Sequence, residues 1–176
     1  MNQDTLFRQF FAPLILLAIA YEWLISGLNK VLYGHFVQQM QHELILASKE
    51  MQYSFYSAMF KQFVIPNAPL FALLVEVGEI LIGVSYVIIA LAIFSNNIGK
   101  TTITIGIWTS IISAFMVLNF FFYQGGAMFL NTGDPFDEGI PIDFILFLMQ
   151  LFIAIFFITL HRINLTSTRV PYRRYK

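Results

Sequence analysis

Of the 176 residues, 58% are hydrophobic, 17% aromatic and only 11% charged, under half the ~25% charge of an ordinary water-soluble domain; a mean hydropathy of +0.72 assigns the chain to the bilayer. Ten basic residues balance ten acidic ones, which excludes a nucleic-acid-binding face, because neutralising phosphates requires a clustered basic surplus. The lack of cysteine excludes disulfides, thiolate metal sites, iron–sulfur clusters and thiol nucleophiles from this chain.

A helix that crosses hydrocarbon needs about 20 predominantly apolar residues. The first such run extends from about Phe10 to Val31. Ala18-Ile19-Ala20 has the small-x-small form of a signal-peptide cleavage site, but the apolar run continues well past it, so a retained anchor is expected. An exterior loop over 34–66 follows, longer than two neighbouring helices require. Within it Phe36, Met40, Leu44 and Ala47 recur at helical spacing opposite Gln38, Gln41, His42 and Lys49, predicting an amphipathic helix over Gly34–Glu50 on the membrane surface. Met51, Phe55, Met59 and Phe63 extend the apolar stripe, with Tyr53 and Tyr56 as interfacial anchors. This segment either covers the end of the bundle or serves as a lid or a dock for a partner.

Pro66-Asn67-Ala68-Pro69 opens the second span, about 69–94, with Asn67 as its cap. Ser95–Lys100 is short enough to make the third span, about 101–123, the antiparallel neighbour of the second. The second exterior loop, 124–140, carries Gly125-Gly126, the turn sequence Asn131-Thr132-Gly133-Asp134-Pro135, and the acidic residues Asp134, Asp137 and Glu138, which lack the spacing of a calcium loop. The fourth span covers about 141–161. The expected fold is all-α, a single integral membrane domain forming an antiparallel four-helix bundle with an amphipathic surface helix in the first exterior loop. Arg8, Lys100, Arg162, Arg169, Arg173, Arg174 and Lys176 fall on one side, against Lys30, Lys49 and Lys61 on the other. By the positive-inside rule both termini lie in the cytoplasm and the protein is a multi-pass plasma-membrane protein.

Ionisable groups inside hydrocarbon cost roughly 2.5–3.5 kcal/mol each on insertion scales, so each needs a partner or a task. Glu22 sits mid-way along span one, Lys30 near its outer end, and Glu76 and Glu79 share one face of span two. Glu22, Ser26 and Asn29 or Lys30 share a face about 12 Å long. Asn119 in span three and Gln150 in span four add polar groups for the same interior, whereas Gly106, Ser110 and Ser113 predict close helix packing alone. The set predicts either an outward-opening polar cavity or a purely structural network in which Lys30 neutralises one carboxylate. The three histidines, His35, His42 and His161, do not face one another across the bundle, so haem is not expected. With no phosphate-binding glycine loop, neither is a nucleotide.

Tyr21-Glu22-Trp23-Leu24-Ile25-Ser26-Gly27-Leu28-Asn29-Lys30, followed downstream by Glu76-Val77-Gly78-Glu79-Ile80-Leu81-Ile82-Gly83, resembles the DoxX/DoxD family of small four-span membrane proteins. The carrying features are Trp-x-x-x-Gly-x-x-Lys in the first span and Gly-Glu-x-x-x-Gly in the second. The long first exterior loop is similar to the DoxD branch. That resemblance implies the large subunit of a thiosulfate:quinone oxidoreductase, which with a DoxA-like small subunit oxidises thiosulfate to tetrathionate and passes electrons to membrane quinone. On this expectation Glu79, Glu76 and Glu22 serve quinone protonation, while Lys30, His35 and Asn119 contribute to substrate binding. Quinone is then the electron acceptor, and the partners are the small subunit, the lipid bilayer and, as an open alternative, further copies of the chain. The acidic exterior loops oppose a dianionic substrate at neutral pH, a repulsion that protonation in an acidic exterior would relieve. Competing readings are a non-catalytic anchor or assembly subunit of a larger respiratory or other membrane complex and, more remotely, a solute or proton carrier acting as an oligomer.

Overall fold

The computed structural model describes residues 10–126 and 142–167, which contain helices and turns and no strand. The helices are α1 (Ala12–Tyr33), α2 (Phe36–Glu50), α3 (Ser54–Met59), α4 (Ala68–Phe94), α5 (Lys100–Tyr123) and α6 (Ile142–Ser167), with a π turn at Phe60–Val64 and a 3-10 turn at Ile65–Asn67 joining α3 to α4. Four stretches are long and apolar enough to cross a membrane: Ala12–Tyr33, Ser54–Phe94, Lys100–Tyr123 and Ile142–Ile163. The expected spans match α1, α4, α5 and α6 to within two residues, except that α6 continues to Ser167. The acidic loop residues Asp134, Asp137 and Glu138, and the turn sequence before them, lie outside the described residues, as do Arg8 and the basic residues from Arg169 onward.

Two tightly packed pairs make up the bundle, α1 with α4 and α5 with α6, joined mainly through α4 and α5. In hydrocarbon, association depends on close packing more than on hydrophobic burial, and two glycines set the first pair's separation. A Cβ on Gly27 would lie 2.8 Å from Ile80 Cγ1 and 3.1 Å from the Ile80 backbone nitrogen, and one on Gly83 would lie 2.6 Å from Leu24 Cγ and 3.0 Å from the Leu24 nitrogen. The motif glycines therefore permit near backbone-to-backbone contact at two successive heights. On this basis Gly27→Val should force α1 away from α4 and destabilise the fold by about 2 kcal/mol, seen as a lower unfolding midpoint in detergent. Gly99→Ala, whose Cβ meets nothing within 4 Å, is the matched control and should change little.

The inner faces build one apolar cluster around Trp23, Ile82, Tyr86, Ile89, Val117 and Phe157. The outward faces remain apolar: Leu32, Trp108 and Phe152 are 81%, 61% and 65% exposed. Such a surface suits hydrocarbon contact and would be an aggregation liability in water.

The segment between α1 and α4 is helical almost throughout. Gly34 takes a left-handed conformation (φ 71°) that ends α1, and α2 then packs on α4. As expected, Leu44 is buried, with Met40 and Ala47 packed partly buried in the same cluster. Further on, the apolar residues divide between two faces. Phe55, Met59 and Phe63 point outward, while Tyr56, Phe60 and Val64 are buried with Met51 and Ala68 in a second cluster that includes Phe122 and Tyr123 of α5. Apolar residues occupy both faces here, so hydrophobicity alone does not fix which face turns inward. Asn67 does precede α4, but its amide reaches back to the Phe63 carbonyl at 2.8 Å and caps nothing ahead of it.

Candidate functional site

Between the two helix pairs, beneath α2 and the π turn, lies a cavity of about 570 Å³, a size usual for small-molecule sites. Its walls are largely apolar: Phe36, Met40 and Leu44 from α2, Phe60 and Val64 from the π turn, Phe71 and Val75 from α4, Met116, Val117 and Phe120 from α5, and Leu146 from α6. Polar groups enter chiefly from α1, through Glu22, Ser26 and Lys30, and from Glu79, Asn119 and Gln124. Phe63, Leu74 and Phe115 also line it, and at 60%, 57% and 67% exposure they form an outer rim between α4 and α5. The cavity wall thus includes residues exposed on the apolar outer surface.

The polar end is organised around Lys30. Its Nζ lies 2.6 and 2.8 Å from the two Glu79 carboxylate oxygens and 2.8 Å from Ser26 Oγ. Phe36 covers it, the ring centroid 5.5 Å from Nζ. The lysine stands one helical turn beyond Ser26 on the same face of α1, and the close approach at Gly27 and Gly83 carries it within reach of α4. Glu79 is 1% exposed, so the ion pair places a carboxylate where water cannot solvate it. With three protons on the ammonium and four oxygens around it, the Ser26 carbonyl at 3.5 Å being the fourth, Lys30 has no free donor left.

Asn119 lies in the same cavity wall, its orientation fixed by two contacts. Its Oδ1 accepts from the Tyr56 hydroxyl at 2.8 Å, and its Nδ2 donates to the Phe115 carbonyl at 2.7 Å. Tyr56, expected at the membrane interface, is instead 6% exposed and ties α3 to α5.

Glu22 lines the cavity from an exposed position on α1, without a hydrogen-bond partner among the described residues. Glu76 does not line it and is only half-buried, although it shares a helix with Glu79. His35, at the start of α2, is also outside it, exposed and edge-on to Tyr33 at 5.9 Å. Of the six residues singled out from sequence, the structure therefore gathers Glu22, Lys30, Glu79 and Asn119 and leaves Glu76 and His35 apart.

Gln150 points into the bundle but belongs to a different network. Fully buried, its Oε1 meets the Tyr86 hydroxyl and lies 2.9 Å from Ser113 Oγ, while Tyr86 Oη is 3.2 Å from both Ser110 and Ser113 hydroxyls. Ser110 and Ser113 consequently do more than permit close packing, the one task expected of them; that packing belongs to Gly106, whose Cβ would meet the Phe157 ring at 2.8 Å. A tyrosine hydroxyl midway along an apolar span was the overlooked sign of this network.

Among the described residues two buried side-chain nitrogens, Trp23 Nε1 and Gln150 Nε2, have no hydrogen-bond partner. Among the described residues no group of three or more His, Asp or Glu side chains is placed to hold a metal. The cavity suits an amphipathic molecule, with an apolar body against the phenylalanines and a polar edge toward Lys30, Glu22 and Asn119. Compared with protein-family models, curated proteins and solved structures, the chain has no match in any of the three.

Proposed function

We propose that the chain is the quinone-reducing membrane subunit of a thiosulfate:quinone oxidoreductase, an antiparallel four-helix bundle of the plasma membrane with both termini in the cytoplasm and α2 on the exterior surface. The observation that carries the quinone half is the apolar cavity with the Lys30–Glu79 pair and Glu22 in its wall and with Phe63, Leu74 and Phe115 of its lining exposed on the apolar outer surface. A quinone reaches its site through lipid, needs an apolar slot for its ring and tail, and needs protons beside its carbonyl oxygens. Glu22, exposed in the cavity wall and without a hydrogen-bond partner among the described residues, is the group suited to hold such a proton at its carboxyl oxygen. Lys30, its charge paired with Glu79 and its protons engaged by Glu79 and Ser26, holds the polar edge of the slot in place.

The thiosulfate half rests on the DoxX/DoxD resemblance of the first two spans. In the overall reaction two thiosulfates lose one electron each and join through a new S–S bond as tetrathionate, and quinone takes those two electrons with two protons to become quinol. Lys30 was the expected thiosulfate ligand, but its donors are already engaged, so a dianion there would have to displace Glu79. On this reading thiosulfate is oxidised at the exterior face with the small subunit, and electrons pass to quinone in the cavity.

The test is thiosulfate-dependent reduction of a soluble quinone by the gently solubilised complex, assayed from acidic to neutral pH. Turnover that saturates in both substrates and disappears when this chain is removed is the expected result. A complex that keeps its partners yet shows no turnover at any pH would make the chain an anchor or assembly subunit instead.

A further inference from the structure

The outer side of α1 is unlike that of the other three spans. α1 packs chiefly against α4, and on its opposite side Ile15, Ala18, Glu22, Ile25, Asn29 and Leu32 are all exposed. Their spacing alternates three and four residues, the heptad period with which two parallel helices keep one seam in contact. Glu22 stands midway along α1, about 15 Å from either end, and neither it nor Asn29 has a hydrogen-bond partner among the described residues. Midway along α4, α5 and α6 the exposed positions are apolar, as at Leu81, Ile88, Trp108, Phe115, Phe152 and Ile155. On α1 alone, a carboxyl and a carboxamide one heptad apart face a medium that offers them no partner.

We propose that this stripe is the seam of a parallel homodimer, with a second copy of the chain as its occupant. Copies inserted in the same direction present parallel α1 helices, so a two-fold axis along the membrane normal sets each stripe residue against its own counterpart. Such a seam accepts only polar groups that pair with themselves. A carboxamide both donates and accepts, and so does a carboxyl that holds its proton. Asn29 and Glu22 therefore each close a hydrogen bond across the axis, and Ala18, one turn before Glu22, lets the two backbones approach. Because Glu22 also lines the cavity, the seam runs along the edge of the cavity wall, and the second copy closes that edge. The inference needs only that α1 crosses the bilayer and does not depend on the quinone reading.

The chain has no cysteine, so an introduced one reports alone. Full-length single-cysteine variants are oxidised in native membranes: Ile25→Cys and Leu32→Cys on the stripe, with Ile88→Cys on α4 and Phe152→Cys on α6 as equally exposed controls. The stripe variants are expected to give a disulfide-linked species of twice the chain mass, well above either control. Equal cross-linking at all four positions, as for random collisions, would overturn the dimer, and so would its absence from the stripe. A stripe cysteine that links instead to a protein of another mass would overturn the second copy as occupant. Energy transfer between labelled copies in vesicles tests the polar pairs. Asn29→Leu should weaken association about three- to tenfold, whereas Glu22→Gln, which keeps a donor and an acceptor, should preserve it. An Asn29→Leu protein that associates as tightly as wild type would overturn the paired seam.

Discussion

Replacing Lys30 by Met should lower the stability of the solubilised protein by about 3 kcal/mol, the range found when one partner of a buried ion pair is removed. The loss comes from Glu79, 1% exposed, which keeps its carboxylate and loses its cation. Ser26 Oγ and the Phe36 ring lose the same partner, loosening α1 and α2 together at the polar end of the cavity. The double variant Lys30→Met, Glu79→Leu should regain most of that stability, because two apolar side chains of similar bulk need no desolvated charge to be satisfied. It should not regain quinone reduction. Denaturant unfolding of the wild type, both single variants and the double variant gives the coupling directly, with turnover measured on the same preparations. Additive single effects would mean that the two side chains do not meet in the folded protein, and an active double variant would remove the pair from the chemistry.

Much of this architecture was legible in the sequence, because a bilayer imposes length. Runs of about 20 apolar residues between charges or prolines can be little else, and the four spans emerged with their boundaries nearly correct. The charged residues within them were informative for the same reason: Glu22, Lys30 and Glu79 are costly in hydrocarbon and had to be satisfied or used. What the sequence withholds is helix rotation. In water an amphipathic pattern identifies the inner face, but here Leu32, Trp108 and Phe115 are as apolar as the core, and the pattern carries little directional information. That is why Glu76 and Glu79 looked equivalent and are not, and why the apolar stripe Phe55, Met59, Phe63 does not by itself show that it lies exposed while Tyr56 and Phe60 are buried. Tyr56 misled for a further reason. An amphipathic ring suits an interface equally well, and only the proximity of Asn119, 63 residues away in sequence, shows that its hydroxyl has a partner inside. The motif glycines, by contrast, pointed to the site indirectly: Gly27 and Gly83 hold no ligand but set the distance over which Lys30 reaches Glu79.

The separation of the three glutamates leads to the second large effect. Glu22→Gln is expected to reduce the rate of quinone reduction by about 10²-fold, the lower end of what a positioned acid contributes, while leaving the unfolding midpoint nearly unchanged because its carboxyl group has no hydrogen-bond partner to lose among the described residues. Glu79→Gln should behave differently. Its carboxylate is occupied by Lys30, so it acts as a positioning residue, and its replacement should lower stability and rate together. Glu76→Gln should leave quinone reduction within about twofold of wild type, since Glu76 lies outside the cavity wall; surface-type substitutions away from such features have small effects. Measuring kcat against unfolding midpoint for the three variants distinguishes the roles. A slow Glu76 variant would place the chemistry on the other side of α4, and a fast Glu22 variant would take the proton-holding role away from Glu22.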